Sequence, residues 1–199
     1  MALRQEEEPA RLSPQTTPFA LESPFPRELT AHEIRILLDA ADSGTRRWIG
    51  LLLSGLSVEE TIGLRGENLD WDANRILLSG ERPRTLPLAA GLKASLAQSA
   101  GSIDEDADAE EMDARIRCAA FDSGLAEPDS LSAAALRHTY IAYLVRLGIR
   151  LSELERIIGR LPAKQLANYG RLSPQGPGLP AERVPLVHPA LLDEREKLA

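Results

Sequence analysis

The stretch of sequence from Leu136 to Gly159, LRHTYIAYLVRLGIRLSELERIIG, decides the fold. Apolar side chains recur in it every three or four residues, which is the spacing of the buried face of an α-helix. The pattern breaks at Gly148 and stops at Gly159, and glycine often ends a helix because it tolerates left-handed backbone. The apolar positions are Leu136, Tyr140, Leu144 and Val145 in the first part and Leu151, Leu154, Ile157 and Ile158 in the second. The stretch therefore predicts two consecutive helices with buried faces.

Three helices are predicted near the start of the domain. Thr30 with Glu33, and Ser57 with Glu60, each match the Ser/Thr-x-x-Glu capping box that begins a helix. The first helix is expected to run to about Ala41, and the third to begin at Ser57. Between them, apolar spacing predicts a helix over about residues 44–54.

The middle of the chain predicts a small amount of β-structure. Arg75–Leu78 and Thr85–Leu88 have the composition of two short strands around a turn. The polar run from Leu64 to Asp72 is expected to be a loop. Further helices are predicted at about Leu92–Gln98, Glu110–Ser123 and Ala163–Tyr169. The expected fold class is thus mainly α with one small antiparallel β-hairpin.

The chain is expected to hold one domain with two extensions. It has 199 residues, of which 43% are apolar, and this suits a single globular domain. Residues 1–28 carry five prolines and an acidic run, so they predict a flexible arm, and the ordered domain is expected over 29–173. Residues 174–199 are predicted to be a tail, with a Pro/Gly linker through Leu172–Pro189 and a short amphipathic helix over Ala190–Leu198.

Composition excludes several classes of protein. The longest strongly apolar stretch, Trp48–Leu53, is far shorter than the roughly 20 residues of a membrane helix, and the acidic N-terminal residues do not resemble a signal peptide. We therefore expect a cytoplasmic protein that does not bind a membrane. A single cysteine, Cys118, cannot form an internal disulfide, and three scattered histidines give no metal-ligand spacing. No metal and no cofactor are expected.

Charge is distributed unevenly along the chain. The formal net charge is -7, but residues 101–130 contain ten Asp or Glu residues against two Arg, whereas residues 131–173 contain seven Arg or Lys against two Glu. A basic segment can contact phosphate even when the whole chain is acidic. The second half of the predicted core is therefore the part that could face nucleic acid.

Five motifs in a fixed order resemble the catalytic domain of the tyrosine recombinase (phage integrase) family. They are GLSVEE at 55–60 with Leu64-Arg65 and Leu69-Asp70, RTLPL at 84–88, LRHT at 136–139, Ile158-Gly159, and Tyr169. The resemblance covers about Leu29–Pro174 and implies the fold of that DNA breaking-rejoining family. It also implies a reaction in which a tyrosine attacks a DNA phosphodiester and forms a 3′-phosphotyrosine. In that reaction cations hold the phosphate and a lysine protonates the leaving 5′-oxygen.

The resemblance assigns a family role to six positions, of which only two keep the family residue. Tyr169 stands at the position of the nucleophile and Arg137 at that of the second arginine, while Arg160 occupies a position that carries histidine or tryptophan in the family. Ser57, Glu81 and Ala134 replace the first arginine, the lysine and a histidine, respectively. An arginine binds phosphate through a planar, permanently charged fork, which none of these three side chains can replace. Loss of two such groups predicts that DNA strand cleavage is slowed on the order of 10,000-fold or more.

These replacements favour a catalytically degenerate, integrase-like domain derived from a mobile element. It is expected to keep some affinity for double-stranded DNA through Arg137, His138, Arg160 and Lys164. One alternative is an active recombinase or topoisomerase-like enzyme in which Arg160, with Arg82 or Arg84, supplies the missing cations. Another is an interaction module whose C-terminal helix binds a complete recombinase or a second copy of the chain.

The same residues also have purely structural interpretations. Ser57 with Glu60 is a good helix N-cap. Tyr169 suits the packed end of a helix, and His138 suits a core or helix-start position. Arg137 fits either a phosphate contact or an internal ion pair.

Overall fold

The computed structural model describes residues 25–80, 83–99 and 107–192, which form eight α-helices and one three-stranded antiparallel sheet. The elements are α1 (Ala31–Ala40), α2 (Ser43–Leu52), α3 (Val58–Gly63), β1 (Leu69–Asp70), β2 (Arg75–Leu78), β3 (Arg84–Pro87), α4 (Ala90–Ser99), α5 (Ala109–Asp122), α6 (Ala133–Arg146), α7 (Leu151–Ile158) and α8 (Ala163–Gly170). The predicted mainly α fold with one small sheet is confirmed.

Polar side chains fix where several helices begin. Both predicted capping boxes are present: the Thr30 and Ser57 hydroxyls accept hydrogen bonds from backbone N–H groups three residues on, and Glu33 and Glu60 bond back to the cap residues. Such caps satisfy backbone N–H groups that have no partner within the helix. The capping interpretation of Ser57 is therefore confirmed.

Helix α6 forms the centre of the core. Ten of its fourteen residues are buried, and α2, α5, α7 and α8 all pack against it. Close packing explains Gly55, which lies just beyond α2 at φ +99°. A Cβ added there would lie 2.8 Å from Cε1 of Tyr140 on α6, closer than a side chain allows. Only glycine meets both the backbone and the space requirements of this position.

The sheet has one strand more than the sequence predicted. Leu69 and Asp70 pair with Ile76 and Arg75, so β1 extends the β2–β3 hairpin into a sheet of order β1-β2-β3. The expectation of a loop over Leu64–Asp72 is wrong at these two residues. A strand of two residues is too short to show the alternation of apolar and polar side chains that identifies strands in a sequence.

The second half of the segment predicted as a linker, Leu172–Pro189, is bonded to and packed against the core instead, while residues 174–177 are exposed. The Tyr140 hydroxyl donates to the Leu186 carbonyl at 2.8 Å, and Val184 is buried. A parallel bridge joins Leu179 to Ile149. The prediction was wrong because proline and glycine here shape a strap that is irregular apart from one 3₁₀ turn at Ala181–Arg183, and whose backbone is bonded to the core. Of the predicted helix over Ala190–Leu198, only residues up to 192 are described, and Pro189–Leu191 is a 3₁₀ turn.

Order also begins earlier than predicted at the other end of the core. Phe25–Glu28, which was assigned to the flexible arm, lies on the surface of α6 and α8. Leu29 is buried, and its backbone N–H donates to the Thr139 hydroxyl at 3.0 Å. The described residues that pack on the core therefore extend from Phe25 at one end to Leu191 at the other. The division into arm, domain and tail beyond these limits stays a prediction.

Candidate functional site

Tyr169, at the end of α8, faces His138 in the middle of α6. The Tyr169 hydroxyl and His138 Nδ1 are hydrogen-bonded at 2.9 Å, and both side chains are buried. Burial raises the pKa of Tyr169 to about 12, although the charge of Arg137 opposes this shift. Burial also lowers the pKa of His138. The phenol is therefore protonated at neutral pH, and it is bonded inside the protein.

Phe25 covers this pair from the solvent side. Its ring stacks on His138 with centroids 4.7 Å apart, and it lies 4.8 Å from the ring of Tyr169. Together these rings border a cavity of about 230 Å³. The cavity is also lined by Pro26, Ala134, Arg137, Ile141, Leu161, Gln165 and Asn168. The structure thus brings Ala134, Arg137, His138 and Tyr169 to one place, as the resemblance implies.

Arg137 holds the ends of two other helices. Its guanidinium donates to the carbonyl oxygen of Gly55 at 2.9 Å and to that of Ile158 at 2.6 Å. These carbonyls lie just after α2 and at the last residue of α7, where backbone acceptors lack helical partners. Neither of the two interpretations made from the sequence, a phosphate contact or an ion pair, describes these bonds. Arg137 instead joins α6 to the two helix ends.

Arg84 forms a two-pronged ion pair with Glu60. Its terminal nitrogens lie 2.7 and 2.6 Å from the two carboxylate oxygens, and its Nε donates to the Ile157 carbonyl at 2.8 Å. Burial alone would raise the pKa of Glu60, but the hydrogen bonds from Arg84 and from the Ser57 backbone lower it. Every nitrogen of the Arg84 guanidinium therefore has a partner within the protein. This arrangement does not favour Arg84 as a substitute for a missing phosphate-binding cation.

Two of the basic residues predicted to contact DNA lie on the surface. Arg160 follows α7, Lys164 is in the first turn of α8, and both are exposed. Neither lines the cavity beside Tyr169. Ser57 is tied into its cap next to Glu60, as described above. Glu81 and Arg82 lie outside the described residues.

Sequence reasoning missed one residue of the site altogether. Phe25 lies in a proline-rich stretch without apolar periodicity, and nothing in its neighbours indicates a partner more than 100 residues away. The Glu60–Arg84 pair was also missed as a pair, although both residues lie in motifs that resemble those of the family. The only signal in the sequence is that a glutamate and an arginine stand in consecutive motifs, and a sequence does not show that the two meet in space.

The described parts of the chain give no indication of a metal centre or a membrane span. They contain no cluster of three or more His, Cys, Asp or Glu side chains that could hold a metal ion. None of their helices combines the length and the apolar character that are needed to cross a bilayer.

No protein-family model matches the sequence, and neither does any curated protein sequence. Solved structures do match the fold. XerA recombinase superposes with a TM-score of 0.63 at 21% identity, over 74% of this chain and 59% of that one. XerH site-specific recombinase bound to difH substrate, in a pre-cleavage complex, gives a TM-score of 0.59 at 15% identity, over 73% of this chain and 50% of that one.

A third similar structure is the Tn1549 transposon integrase in complex with circular intermediate DNA. It gives a TM-score of 0.55 at 18% identity, over 75% of this chain and 63% of that one. The chain spans between half and two thirds of the length of these proteins. At these identities the likeness establishes the fold, which agrees with the order of motifs in the sequence. The chain therefore has the fold of the tyrosine recombinase catalytic domain.

Proposed function

We propose that this protein is a DNA-binding domain that serves DNA recombination or integration and has lost the ability to cleave DNA. The observation that carries the proposal is the state of Tyr169. Its hydroxyl is buried and bonded to His138. A nucleophile must reach its target atom and be activated by a neighbouring group. Burial that raises the pKa of Tyr169 to about 12 acts against both requirements.

The cations that the reaction needs provide independent support. The Ser57 hydroxyl is used in a helix cap, Ala134 offers only a methyl group, and Arg137 holds two backbone carbonyls. Each preorganised donor to a phosphorane is worth on the order of 100- to 1,000-fold in rate. Two such losses, at Ser57 and Ala134, reduce strand cleavage by on the order of 10,000-fold or more.

The exposed basic residues support the DNA-binding half of the proposal. Arg156, Arg160, Lys164 and Arg171 are all exposed on or beside α7 and α8. The two acidic residues in the same part of the chain are held by backbone groups: Glu155 accepts from the Leu161 N–H at 3.0 Å and Glu153 from the Ala181 N–H at 2.8 Å. Among the solved structures with this fold, a site-specific recombinase is described as bound to its difH substrate and an integrase as in complex with circular intermediate DNA. We infer that α7 and α8 present the basic surface to a duplex.

Fluorescence anisotropy on a generic duplex and on a four-way junction tests the binding. Affinity should fall steeply between about 50 and 200 mM salt, because bound phosphates release counterions. The double variant R160E/K164E should lose most of the affinity. Arg117→Glu, a charge reversal at an exposed position of α5, is the matched control and should bind within about twofold of wild type. Equal losses in both variants, or no binding at low salt, would contradict the proposal.

A nicked duplex that traps covalent intermediates tests the loss of cleavage. The wild-type chain should form no adduct that survives denaturing electrophoresis. An adduct that disappears in Tyr169→Phe would establish an active recombinase instead. Restoring the family residues together (S57R, E81K, A134H and R160H) is a further arm of the experiment. Cleavage gained by that variant alone would identify the four positions as the cause of the loss.

A further inference from the structure

We propose that Phe25–Glu28 is an autoinhibitory cap that must move aside before DNA can reach the face formed by Tyr169, His138 and Arg146. This inference rests on the proposed DNA binding and adds its regulation. The cap has two parts: the ring of Phe25 covers the Tyr169–His138 pair, and the carboxylate of Glu28 pairs with the guanidinium of Arg146. It therefore blocks access and removes a positive charge at the same time.

Phe25 contacts the domain by stacking on two rings at the surface, and its side chain is not inserted into the core. The planes of Phe25 and His138 are 17° apart, with centroids at 4.7 Å, and Tyr169 completes the group. Phe25 itself is only half-buried, and the next residue, Pro26, is exposed. A stacked ring at the surface contributes modestly, so it can detach without unfolding the domain.

The polar contacts of the cap are of a kind that DNA can replace. In the Glu28–Arg146 pair, half of the Arg146 side chain and 31% of the Glu28 side chain are exposed. Exposed ion pairs are weak and are screened by salt. A phosphate group offers Arg146 anionic oxygens that accept hydrogen bonds from a guanidinium, as a carboxylate does. Release of Glu28 thus exposes a cation for the DNA backbone.

Leu29 provides the fixed end about which the cap can move. It is buried, and its N–H is bonded to Thr139 on α6. Arg27, between the fixed end and Phe25, bonds to the Ala126 carbonyl and pairs with Glu33 on α1. Leu29 is buried, Arg27, Glu28 and Phe25 are half-buried, and Pro26 is exposed, so the segment is held most firmly at Leu29. A cover that is fixed at this residue can hinge there.

Nitration of tyrosines by tetranitromethane, mapped on peptides of the full chain, measures whether Phe25 covers Tyr169. Tyr143, which is half-buried on α6, serves as the internal reference. Phe25→Ala should increase nitration of Tyr169 relative to Tyr143 by about tenfold. Phe121→Ala removes an aromatic ring that is 74% exposed on α5 and should change nothing. Equal nitration in wild type and Phe25→Ala would overturn the cap.

Anisotropy with the same duplex then measures whether the cap competes with DNA. Phe25→Ala should tighten binding by up to the same factor as it increases nitration, because a larger fraction of the chain is open. Glu28→Gln should also tighten binding and should steepen the salt dependence by about one counterion.

Unchanged or weaker binding in both variants, with wild type still binding, would overturn the inference and leave the proposed function intact. Absence of binding in wild type and both variants would refute the proposed function, while nitration still reports separately on the cover.

A control keeps the test decisive if Phe25→Ala does not fold. Phe25→Leu retains apolar volume over the cavity and removes the ring stack. Circular dichroism establishes which of the two variants is folded, and the folded one is used for nitration and binding. Phe25→Leu should give the same direction of change in both measurements, and no change in either would overturn the cap.

Discussion

The guanidinium of Arg137 donates a 2.6 Å hydrogen bond to the carbonyl oxygen of Ile158, the last residue of α7. A second bond joins it to Gly55 beyond α2. The arginine that the family resemblance assigns to DNA phosphate is therefore used to hold three helices together. Hydrogen bonds to a charged donor contribute about 1.5–3 kcal/mol each, so this use is a large part of the stability of a small domain.

Arg137→Ala should lower the free energy of unfolding by about 2–4 kcal/mol, because two carbonyls at helix ends lose a charged donor. Urea denaturation followed by circular dichroism measures this change. Arg137→Lys should recover only part of it, since one ammonium cannot match the spacing of a planar fork. A variant with normal stability and greatly weakened DNA binding would show instead that Arg137 holds phosphate.

Arg84→Met should destabilise the fold by about 2–4 kcal/mol, since it leaves Glu60 half-buried without its ion-pair partner. The double variant R84M/E60Q should be more stable than Arg84→Met alone, because the uncompensated carboxylate is gone. A double-mutant cycle in urea measures the coupling between the two residues. Additive effects would show that the pair contributes no specific interaction.

The helices of the core could be predicted because their causes are local. The capping boxes at Thr30 and Ser57, and the apolar spacing between Leu136 and Ile158, each act within one or two turns of helix. The packing of the strap could not be predicted, because Leu179 and Leu186 bond to residues that are distant in the sequence. These partners are Gly148, Arg150 and Tyr140. Proline and glycine indicate that a segment is not helical, but they do not indicate whether it packs.

The sequence indicates which residue types stand at the family's positions, but not what they contact. Four of these residues, Ala134, Arg137, His138 and Tyr169, line one cavity, whereas Arg160 lies outside it. The role of each side chain depends on partners that are far away in the sequence. Examples are Phe25, whose ring contacts Tyr169, and Ile158, whose carbonyl accepts a hydrogen bond from Arg137. Long-range partners of this kind are a property of packing, which a single sequence does not display.

Stability should fall in mild acid because of His188. Burial, with a contribution from the charge of Arg35, lowers the pKa of His188 from 6.5 to about 4. The folded state therefore prefers the neutral ring, so its contribution to stability is present above pH 6.5 and is lost as the pH falls towards 4. The loss from this group is about 3 kcal/mol at most.

Urea denaturation of wild type and His188→Asn between pH 7 and pH 4 tests this assignment. Asparagine does not titrate and can still cap the following turn, where His188 Nδ1 accepts from the Ala190 N–H at 3.2 Å. The variant should lose less stability than wild type over this range. His32→Asn changes an exposed histidine on α1 and should follow the wild-type curve. Identical curves for wild type and His188→Asn would contradict the prediction.

Gly91→Ala should weaken the contact between α4 and the C-terminal end of the strap. A Cβ at Gly91 would lie 2.8 Å from the backbone carbonyl oxygen of Leu191, which cannot move without shifting the buried turn Pro189–Leu191. Overpacking of this kind costs about 1–3 kcal/mol. Gly63→Ala is the matched control, because a Cβ at this last position of α3 meets nothing within 4 Å and removes backbone freedom from the unfolded chain. Urea denaturation should show opposite signs for the two variants, and a stabilised Gly91→Ala would mean that the end of the strap is not held against α4.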